Sequence, residues 1–270
     1  MTRLAFWGSP AFALPAFQKL LADKRFEIVL TATQPDRPAG RGLKMQPTVI
    51  KQAALAAGVP VLENIPSAAD LRAAGVEKIV VVAYGRLIPA EITRGWKCVN
   101  LHPSLLPKYR GASPLQSALL NGDTETAVTT MLINSKMDAG DILLQEAIPI
   151  EQNMQLKDLS ALCAARGADL LVQTLLADIQ EIRRPQDEAL ATCCRKITGE
   201  DSWIAPGTSP LQIHNKVRAI GGCLTHRGKR VKILATRYAD GVLELLTVQP
   251  EGKAPMTYAS FRNGYGEIIL

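Results

Sequence analysis

The chain has 270 residues, of which 47% are hydrophobic and 21% are charged, an ordinary composition for a globular protein of one large or two smaller domains. This composition excludes an intrinsically disordered chain. No apolar run approaches the roughly 20 residues that a membrane-spanning helix needs, and residues 1–25 lack the apolar core of a signal peptide. We therefore expect a cytoplasmic protein with no membrane partner.

Positive charge is concentrated toward the C-terminus. Residues 205–270 contain 9 Lys and Arg against 4 Asp and Glu, whereas residues 1–204 contain 22 against 21. The densest basic stretch runs from His226 to Lys232 and includes Lys229 and Arg230. Such a patch attracts a polyanion through phosphate contacts, although an isolated basic run is more often only a solvated face.

The cysteines indicate neither a disulfide framework nor a metal site. There are five of them, at positions 98, 163, 193, 194 and 223, and none forms a C-x-x-C pair. An odd number without ligand spacing predicts reduced thiols that bind no metal.

The first hundred residues alternate strands with helices. Residues 3–8 are predicted to form a strand, after which Ser9 caps a helix that Pro10 opens and that runs to residue 21. The elements that follow are strand 27–33, helix 47–57, strand 60–63, helix 67–74 and strand 78–85. This alternation predicts an α/β fold with a doubly wound, mostly parallel, Rossmann-like sheet.

A long basic loop interrupts this pattern at residues 34–44. Its two prolines and two glycines predict no regular structure, and Arg37, Arg41 and Lys44 give it positive charge. Connections of this length between a strand and a helix are uncommon and are often functional. The residues alone equally allow a mobile surface loop.

Polar side chains stand at the end of the strand around residue 100. Val99 and Leu101 alternate with Asn100 and His102, so a strand places the two polar side chains on one face, and Pro103 ends it. The segment 86–89 follows the preceding strand and leaves the sheet at the same edge. Open α/β sheets bind ligands at this edge, which predicts a site there.

The second half begins with a helix capped by Ser113 and opened by Pro114, and it ends in a different type of structure. Strands are predicted at 126–135 and 141–150, and a helix at 156–182. Residues 205–270 are predicted to contain a helix at 213–220 and strands at 230–238, 242–249 and 256–261, a pattern typical of a small antiparallel barrel. We predict a catalytic domain at 1–184, a linker at 185–204 and a C-terminal domain at 205–270.

Three motifs carry a family resemblance that covers nearly the whole chain. The stretch N-L-H-P-S-L-L-P-K-Y-R-G-A-S-P-L-Q-S-A-L from Asn100, followed by T-A-V-T and M-D-A-G-D-I, resembles the core of the formyltransferases that use 10-formyltetrahydrofolate. The flanking motifs Q-P-D-R-P-A-G-R-G and V-Q-P-E-G-K resemble the members of that family that act on methionyl-tRNA. The resemblance implies transfer of a formyl group to the α-amino group of methionyl initiator tRNA, giving tetrahydrofolate and the formylated tRNA used in translation initiation.

The resemblance also implies three catalytic residues, Asn100, His102 and Asp138. The first two would donate hydrogen bonds to the formyl oxygen as it becomes negative, and Asp138 would orient the imidazole and pass protons through a water. Taken singly, each has a simpler interpretation. A histidine beside a proline is more often structural, and an aspartate before Ala-Gly is more often a turn former.

The remaining expectations from the resemblance concern ligands. A folate pocket would be lined by Arg86, Ile88, Ser104, Leu105, Leu106 and Pro107, although these residues could equally be core or loop residues. Contacts with tRNA would come from Arg37, Arg41, Lys44, Lys229 and Arg230. We expect a monomer that uses no metal. The tail would be an oligonucleotide-binding-like barrel, abbreviated because residues 238–241 join two strands where relatives carry an extra hairpin.

Two departures from the family pattern are Ala127, which stands in place of a glycine, and Ala139, which lacks the hydroxyl of the usual threonine. Neither removes a catalytic group. Three other activities stay open from the residues: formyl transfer to a sugar-nucleotide amine or to glycinamide ribonucleotide, hydrolysis that releases formate, and tRNA binding without catalysis. The basic loop and tail favour tRNA over a small acceptor. The intact set of three polar residues favours an enzyme.

Overall fold

The computed structural model describes residues 1–39 and 44–270, with Ala39 described by its backbone. Arg41 therefore lies outside the described residues. The chain forms two compact units. The first comprises Met1–Arg110, Ala127–Ile148 and Ala161–Thr192, and the second comprises Gly111–Thr126, Pro149–Ser160 and Cys193–Leu270. The domain boundaries at 184 and 205 stay predictions.

The strands occur in both units and are numbered in chain order. They are β1 (Thr2–Gly8), β2 (Phe26–Ala32), β3 (Arg37–Ala39), β4 (Lys44–Gln46), β5 (Val61–Leu62), β6 (Lys78–Val82), β7 (Lys97–His102), β8 (Arg110–Gly111), β9 (Glu125–Leu132), β10 (Ile142–Pro149), β11 (Cys193–Cys194), β12 (Gly222–His226), β13 (Lys229–Ala239), β14 (Val242–Pro250) and β15 (Met256–Thr257).

The α-helices are numbered in the same way. They are α1 (Leu14–Ala22), α2 (Val49–Ala56), α3 (Ala68–Ala73), α4 (Ala90–Gly95), α5 (Pro114–Asn121), α6 (Leu156–Leu176), α7 (Ile179–Ile182), α8 (Pro210–Ile220) and α9 (Tyr258–Tyr265). As predicted, Ser113 is the N-cap residue of α5 and Pro114 is its first residue.

A seven-stranded sheet organises the first unit, in the order β10-β9-β7-β6-β1-β2-β5. The pairs β1 with β2, β1 with β6, β2 with β5 and β6 with β7 are parallel, and β7 with β9 is antiparallel. The chain builds outward from β1 to β2 and β5, and then from β6 to β7. This topology confirms the predicted doubly wound, mostly parallel sheet, and it predicts a ligand site at the carboxyl ends of β1, β6 and β7.

The sheet is covered on both faces by apolar side chains. One face buries Trp7, Ile79 and Val81 together with Leu71 and Ile92 of the helices. On the other face, Leu101 packs so closely on α6 that a Cβ at Gly167 would come within 2.7 Å of the leucine. Helix α6 has the length and composition of a membrane-spanning helix, but 56% of its apolar window is buried inside the protein, as in a core helix.

The start of the first helix, near the carboxyl end of β1, differs from the sequence prediction. The first helix does not start at Ser9: Pro10 precedes a single 3-10 turn, Ala11–Ala13, and α1 begins at Leu14. Ser9 instead accepts a hydrogen bond from the backbone N–H of Gln34 at 3.0 Å. The hydroxyl therefore holds the chain that leaves β2 and does not cap a helix.

The prediction of no regular structure at 34–44 is wrong for the described ends of that loop. Strands β3 and β4 pair antiparallel, with Arg37 opposite Gln46 and Ala39 opposite Lys44. The base of the loop is fixed because Lys51 Nζ contacts Asp36 Oδ1 at 2.8 Å and Glu63 Oε1 at 2.5 Å. Antiparallel pairing gives hydrogen-bond partners to backbone N–H and C=O groups at the two ends of the loop, and the proline and glycine pattern does not predict this pairing.

The second unit contains an antiparallel sheet in the order β12-β13-β14-β15, which confirms the antiparallel tail. Its core includes Ile213 and Val217 of α8, Ile233 of β13, Val248 of β14 and Phe261 of α9. Residues Asp240 and Gly241 both have positive φ, 51° and 81°, and join β13 directly to β14. That short turn matches the expectation of an abbreviated tail.

The strand predicted at 256–261 is wrong beyond residue 257. Strand β15 ends at Thr257, whose hydroxyl oxygen accepts a hydrogen bond from the backbone N–H of Ser260 at 3.3 Å. This contact caps α9, because the first backbone N–H groups of a helix need acceptors outside it. The apolar residues there are spaced for a helix, and Phe261 stacks on Tyr265 with ring centroids 4.9 Å apart.

Candidate active site

The site lies at the carboxyl end of β7. Asn100 and His102 are two residues apart on this strand, so their side chains leave the same face of the sheet. Asn100 is half-buried and His102 is buried. Strand β6 runs parallel to β7, so the segment after β6 begins at the same edge. The structure thus places the polar pair where the topology predicts a ligand.

The two ring nitrogens of His102 have different surroundings. Nε2 lies 3.0 Å from the backbone oxygen of Tyr109. Because a carbonyl oxygen only accepts hydrogen bonds, Nε2 carries a hydrogen and donates it. Nδ1 lies 3.8 Å from Asp138 Oδ2, which is too long for a hydrogen bond but within the range of an ion pair. Nδ1 is therefore the nitrogen that is available for chemistry.

Asp138 is held in a tight loop between β9 and β10. Its φ is 49°, in the left-handed region, and its side chain is only 18% exposed. Two residues later, a Cβ at Gly140 would meet the backbone oxygen of Leu132 at 1.7 Å, so only glycine fits there. The side chain of Asn134 donates to Ala139 O at 3.1 Å. The loop brings together His102 and Asp138, which are 36 positions apart in the sequence.

The segment 104–107 follows directly and divides into buried and accessible side chains. Ser104 is fully buried, and its hydroxyl donates to Lys108 O at 2.7 Å. Leu106 is buried against Met131 and Ile142. Leu105 and Pro107 remain half-buried and keep surface for a ligand.

Two polar residues that the sequence prediction missed hold this segment. Gln145 Nε2 donates to Leu106 O at 2.9 Å and to Thr129 Oγ1 at 3.0 Å. The Thr129 hydroxyl in turn donates to Ser104 O at 2.6 Å. Both residues lie on strands whose sequences predict only core positions, and their partners lie 16 to 39 positions away, so no local pattern indicates them.

The segment after β6 supplies apolar surface at the same edge. Arg86 is exposed, Ile88 packs partly into the core, and Leu87 is 76% exposed. Met137, beside Asp138, is 62% exposed. Burial raises the pKa of the Tyr84 hydroxyl, and the nearby charge of Arg86 acts in the opposite direction. The polar groups of the site are thus accompanied by accessible apolar side chains.

The predicted tRNA contacts lie in two separate regions. Arg37 is exposed and donates to Gln34 Oε1 at 3.0 Å, and Lys44 is exposed on β4. In the second unit, Lys229 and Arg230 are exposed at the start of β13. Arg230 lies 4.0 Å from Glu251. These side chains are solvent-accessible, as a phosphate contact requires.

Metal ligands do not cluster in the part of the chain that the structure describes. Across residues 1–39 and 44–270, no group of three or more His, Cys, Asp or Glu residues is arranged to hold a metal ion. The polar groups at the end of β7 are thus an amide, an imidazole and a carboxylate, the set that acyl transfer can use for hydrogen bonding and proton transfer.

Comparisons with known proteins agree with this arrangement. The formyl transferase family model matches residues 3–175. A methionyl-tRNA formyltransferase of Moorella thermoacetica is 40% identical to this chain, and the alignment covers 99% of each.

Two solved structures share the fold. A methionyl-tRNA formyltransferase from Clostridium thermocellum aligns with a TM-score of 0.65 at 16% identity, over 93% of this chain and 99% of that chain. An N-formyltransferase from Helicobacter canadensis, solved with folinic acid and dTDP-3-aminofucose, aligns with a TM-score of 0.67 at 18% identity, over 89% of each chain. With the family match and the near-full-length identity, these findings show that the chain belongs to the formyl transferase family, among the methionyl-tRNA formyltransferases.

Proposed function

We propose that this protein transfers the formyl group of 10-formyltetrahydrofolate to the α-amino group of methionyl initiator tRNA, with Asn100, His102 and Asp138 as its catalytic residues. The observation that carries the proposal is the approach of His102 Nδ1 to Asp138 Oδ2, 3.8 Å, at the carboxyl end of β7. The family membership supplies the reaction class, and the contact supplies groups that can perform it.

Attack of the amine nitrogen on the formyl carbon makes the formyl oxygen negative. Collapse of this tetrahedral intermediate breaks the bond between the formyl carbon and the folate nitrogen, and the proton lost by the attacking nitrogen is needed on the departing folate nitrogen. Nε2 of His102 is engaged with Tyr109 O, so the second nitrogen, Nδ1, is the donor that can face the oxygen. Asn100, on the same face of β7, adds an amide donor. Asp138 orients the imidazole and passes the proton through a water.

The apolar surface at this edge suits a folate. A pterin ring is flat and apolar on its faces, and binding sites for such groups combine apolar walls with a few polar anchors. Leu105, Ile88 and the exposed Leu87 provide the walls, and the main chain of 86–88 and 104–107 provides the polar groups. The folinic acid in the Helicobacter canadensis structure is a formylated folate of the same kind.

The tRNA contacts are proposed from charge and exposure. Arg37, Lys44, Lys229 and Arg230 are exposed, and Arg41 lies outside the described residues. We assign Arg41 and its neighbours to the acceptor arm, and the two β13 residues to phosphates elsewhere on the tRNA. Action as a monomer in the cytoplasm belongs to the same proposal.

The test is a formyl transfer assay with the purified full-length protein. The acceptors are methionyl initiator tRNA, methionyl elongator tRNA, glycinamide ribonucleotide and an amino-sugar nucleotide, each with 10-formyltetrahydrofolate. Rapid formylation of the initiator tRNA alone is the expected result. Turnover of a small amine at a higher kcat/KM, or release of formate with no acceptor, would overturn the proposal.

A further inference from the structure

A segment that contains the first residues of the predicted linker runs beside the candidate active site. We call residues 184–192 the strap. Its first residue, Arg184, exchanges two backbone hydrogen bonds of 2.8 Å with Ile142, the first residue of β10. This bridge fixes the strap next to the end of the loop that carries Asp138. The strap and that loop both belong to the first unit.

Gln186 of the strap uses its whole amide group. Its nitrogen donates to the backbone oxygens of Asp138 and Gly140, at 2.8 Å each. Its oxygen accepts from Arg110 Nε at 2.9 Å. Only a primary amide offers two donors and an acceptor at one planar end, so no other side chain of this length satisfies all three contacts.

The C-terminal end of the strap, at Thr192, contacts Tyr109, the hydrogen-bond partner of His102. Arg110 is buried, and its two terminal nitrogens each donate to Glu188 at 3.0 Å. This interaction lowers the pKa of the Glu188 carboxyl. Thr192 accepts at its hydroxyl oxygen from Tyr109 N at 2.9 Å, and at its carbonyl from Arg110 N at 2.8 Å. Tyr109 is the residue whose carbonyl accepts from His102.

We propose that Gln186 is a positioning residue, which sets the Asp138 carboxylate against His102 by clamping the Asp138 and Gly140 carbonyls to Arg110. The inference rests on the proposed catalytic roles of Asp138 and His102. Both ends of the catalytic contact are tied to one segment, because the strap reaches the Asp138 loop through Gln186 and the His102 partner through Thr192. Displacement of a reacting group by about 1 Å can cost on the order of 100-fold in rate.

The experiment compares Gln186→Met and Gln186→Glu with the control Gln180→Met, at an exposed position of α7. Methionine keeps the length and removes all three polar contacts. Glutamate keeps an acceptor for Arg110 but turns an oxygen toward two carbonyls. Formyl transfer is measured at steady state over a range of donor and methionyl-tRNA concentrations, which gives kcat and both KM values, and with enzyme in excess over labelled methionyl-tRNA for variants that turn over slowly. Thermal unfolding of each variant confirms that it is folded.

Both Gln186 variants should lose about 10-fold or more in kcat while KM for the donor and the tRNA changes little, because a shift of about 1 Å in a reacting group can cost on the order of 100-fold in rate. Gln180→Met should match the parent. Placed in an Asp138→Ala background, Gln186→Met should cause less than about a twofold further loss, since residues that act as one unit are not additive.

Each contrary outcome has a distinct meaning. A normal kcat in Asp138→Ala overturns the proposed catalytic role of the carboxylate itself. A slow Asp138→Ala beside a normal Gln186→Met overturns only the positioning role. Losses that multiply in the double variant, or a change in KM alone, show that Gln186 does not act through Asp138 and also overturn the inference.

Discussion

At the scale of single residues, the roles of the two His102 nitrogens are set by what each of them faces. Nε2 is committed to a carbonyl oxygen, and Nδ1 faces a carboxylate at 3.8 Å. The strand that presents His102 also presents Asn100 on the same face, as the proposed pair of hydrogen-bond donors to one oxygen requires.

Alanine substitutions test these three side chains as a unit. His102→Ala, Asn100→Ala and Asp138→Ala should each lower kcat by about 100-fold or more, the usual loss when one donor to a developing oxyanion is removed. The measurement is single-turnover formyl transfer at saturating tRNA, with thermal unfolding to verify folding. The His102 double variants should lose little more than His102→Ala alone. Near-normal turnover of His102→Ala would contradict the mechanism.

Burial separates the cysteines by reactivity. Burial raises the pKa of Cys98 and of Cys163 to about 12, so both thiols stay protonated at pH 8. Because the thiolate is the nucleophile, we expect iodoacetamide at pH 8 to leave both unmodified in the native protein and to label the exposed Cys193. Peptide mass spectrometry reads the labelling. Prompt modification of Cys163 in the folded protein would be inconsistent with the packing of α6.

At the scale of elements, the loops that form the site are fixed by polar contacts with the sheet. Gln145 and Thr129 hold the 104–107 segment, and Gly140 lets the Asp138 loop close against Leu132 O. The position of each loop therefore depends on the position of the strand residue that it contacts. Changes in these loops should separate into effects on ligand affinity and effects on stability.

Leu105→Asp tests the donor pocket. A charge on the proposed apolar wall should weaken the binding of a non-reactive folate analogue by about 10-fold or more, because burying an ionised side chain under a ligand costs free energy. The affinity for tRNA should be unchanged. Leu55→Asp, at an exposed position of α2, is the matched control. Equilibrium titration decides the question, and an unchanged folate affinity for Leu105→Asp would place the pocket elsewhere.

Gly140→Ala tests the closure of the Asp138 loop. The added methyl group would meet Leu132 O at 1.7 Å, so we expect a loss of about 2 kcal/mol or more in unfolding free energy. At Gly95, in α4, an added Cβ has no heavy atom within 4 Å, so Gly95→Ala should be neutral or slightly stabilising. Urea unfolding measures both. Equal stability of the two variants would mean that the close approach does not exist.

At the scale of the whole molecule, positive charge is distributed unevenly along the chain. Most of the excess positive charge lies within residues 205–270, and Lys229 and Arg230 are exposed there. The basic loop at 34–44 belongs to the sequence of the first unit. The proposed tRNA contacts therefore lie in separate parts of the sequence, and substitutions can address them one at a time.

The charge prediction compares three variants across a salt series. Lys229→Ala combined with Arg230→Ala should weaken tRNA binding and reduce the slope of log K against log salt by about two, one for each lost phosphate contact. Arg41→Ala should lower kcat/KM by more than the loss of a single phosphate contact would, and it should leave folate affinity unchanged. Lys24→Ala, an exposed lysine before β2, should change neither. Identical slopes and kcat/KM values for all variants would exclude both regions as tRNA contacts.

The sequence by itself determined the class of fold and the reaction family. Alternating β-branched strands and helices fix a doubly wound sheet, since each element must bury an apolar face, and the N-L-H-P motif with M-D-A-G-D-I identifies the family. The helix start at Pro114 was also predictable, because the fixed φ of proline suits the first position of a helix. These are properties of local periodicity and of motif.

Only the tertiary structure decided which side chains support the site. The sequence predicts Ser9 as a helix cap, but its hydroxyl binds the chain after β2. The sequence predicts a strand at 256–261, but a helix begins at Tyr258, with Thr257 as its cap. Gln186 lies 48 positions from Asp138 and 76 from Arg110, in a segment without periodicity. A side-chain amide contacts whatever backbone the fold brings within about 3 Å, so its partners are set by strand order and loop closure and cannot be read from its neighbours in the sequence.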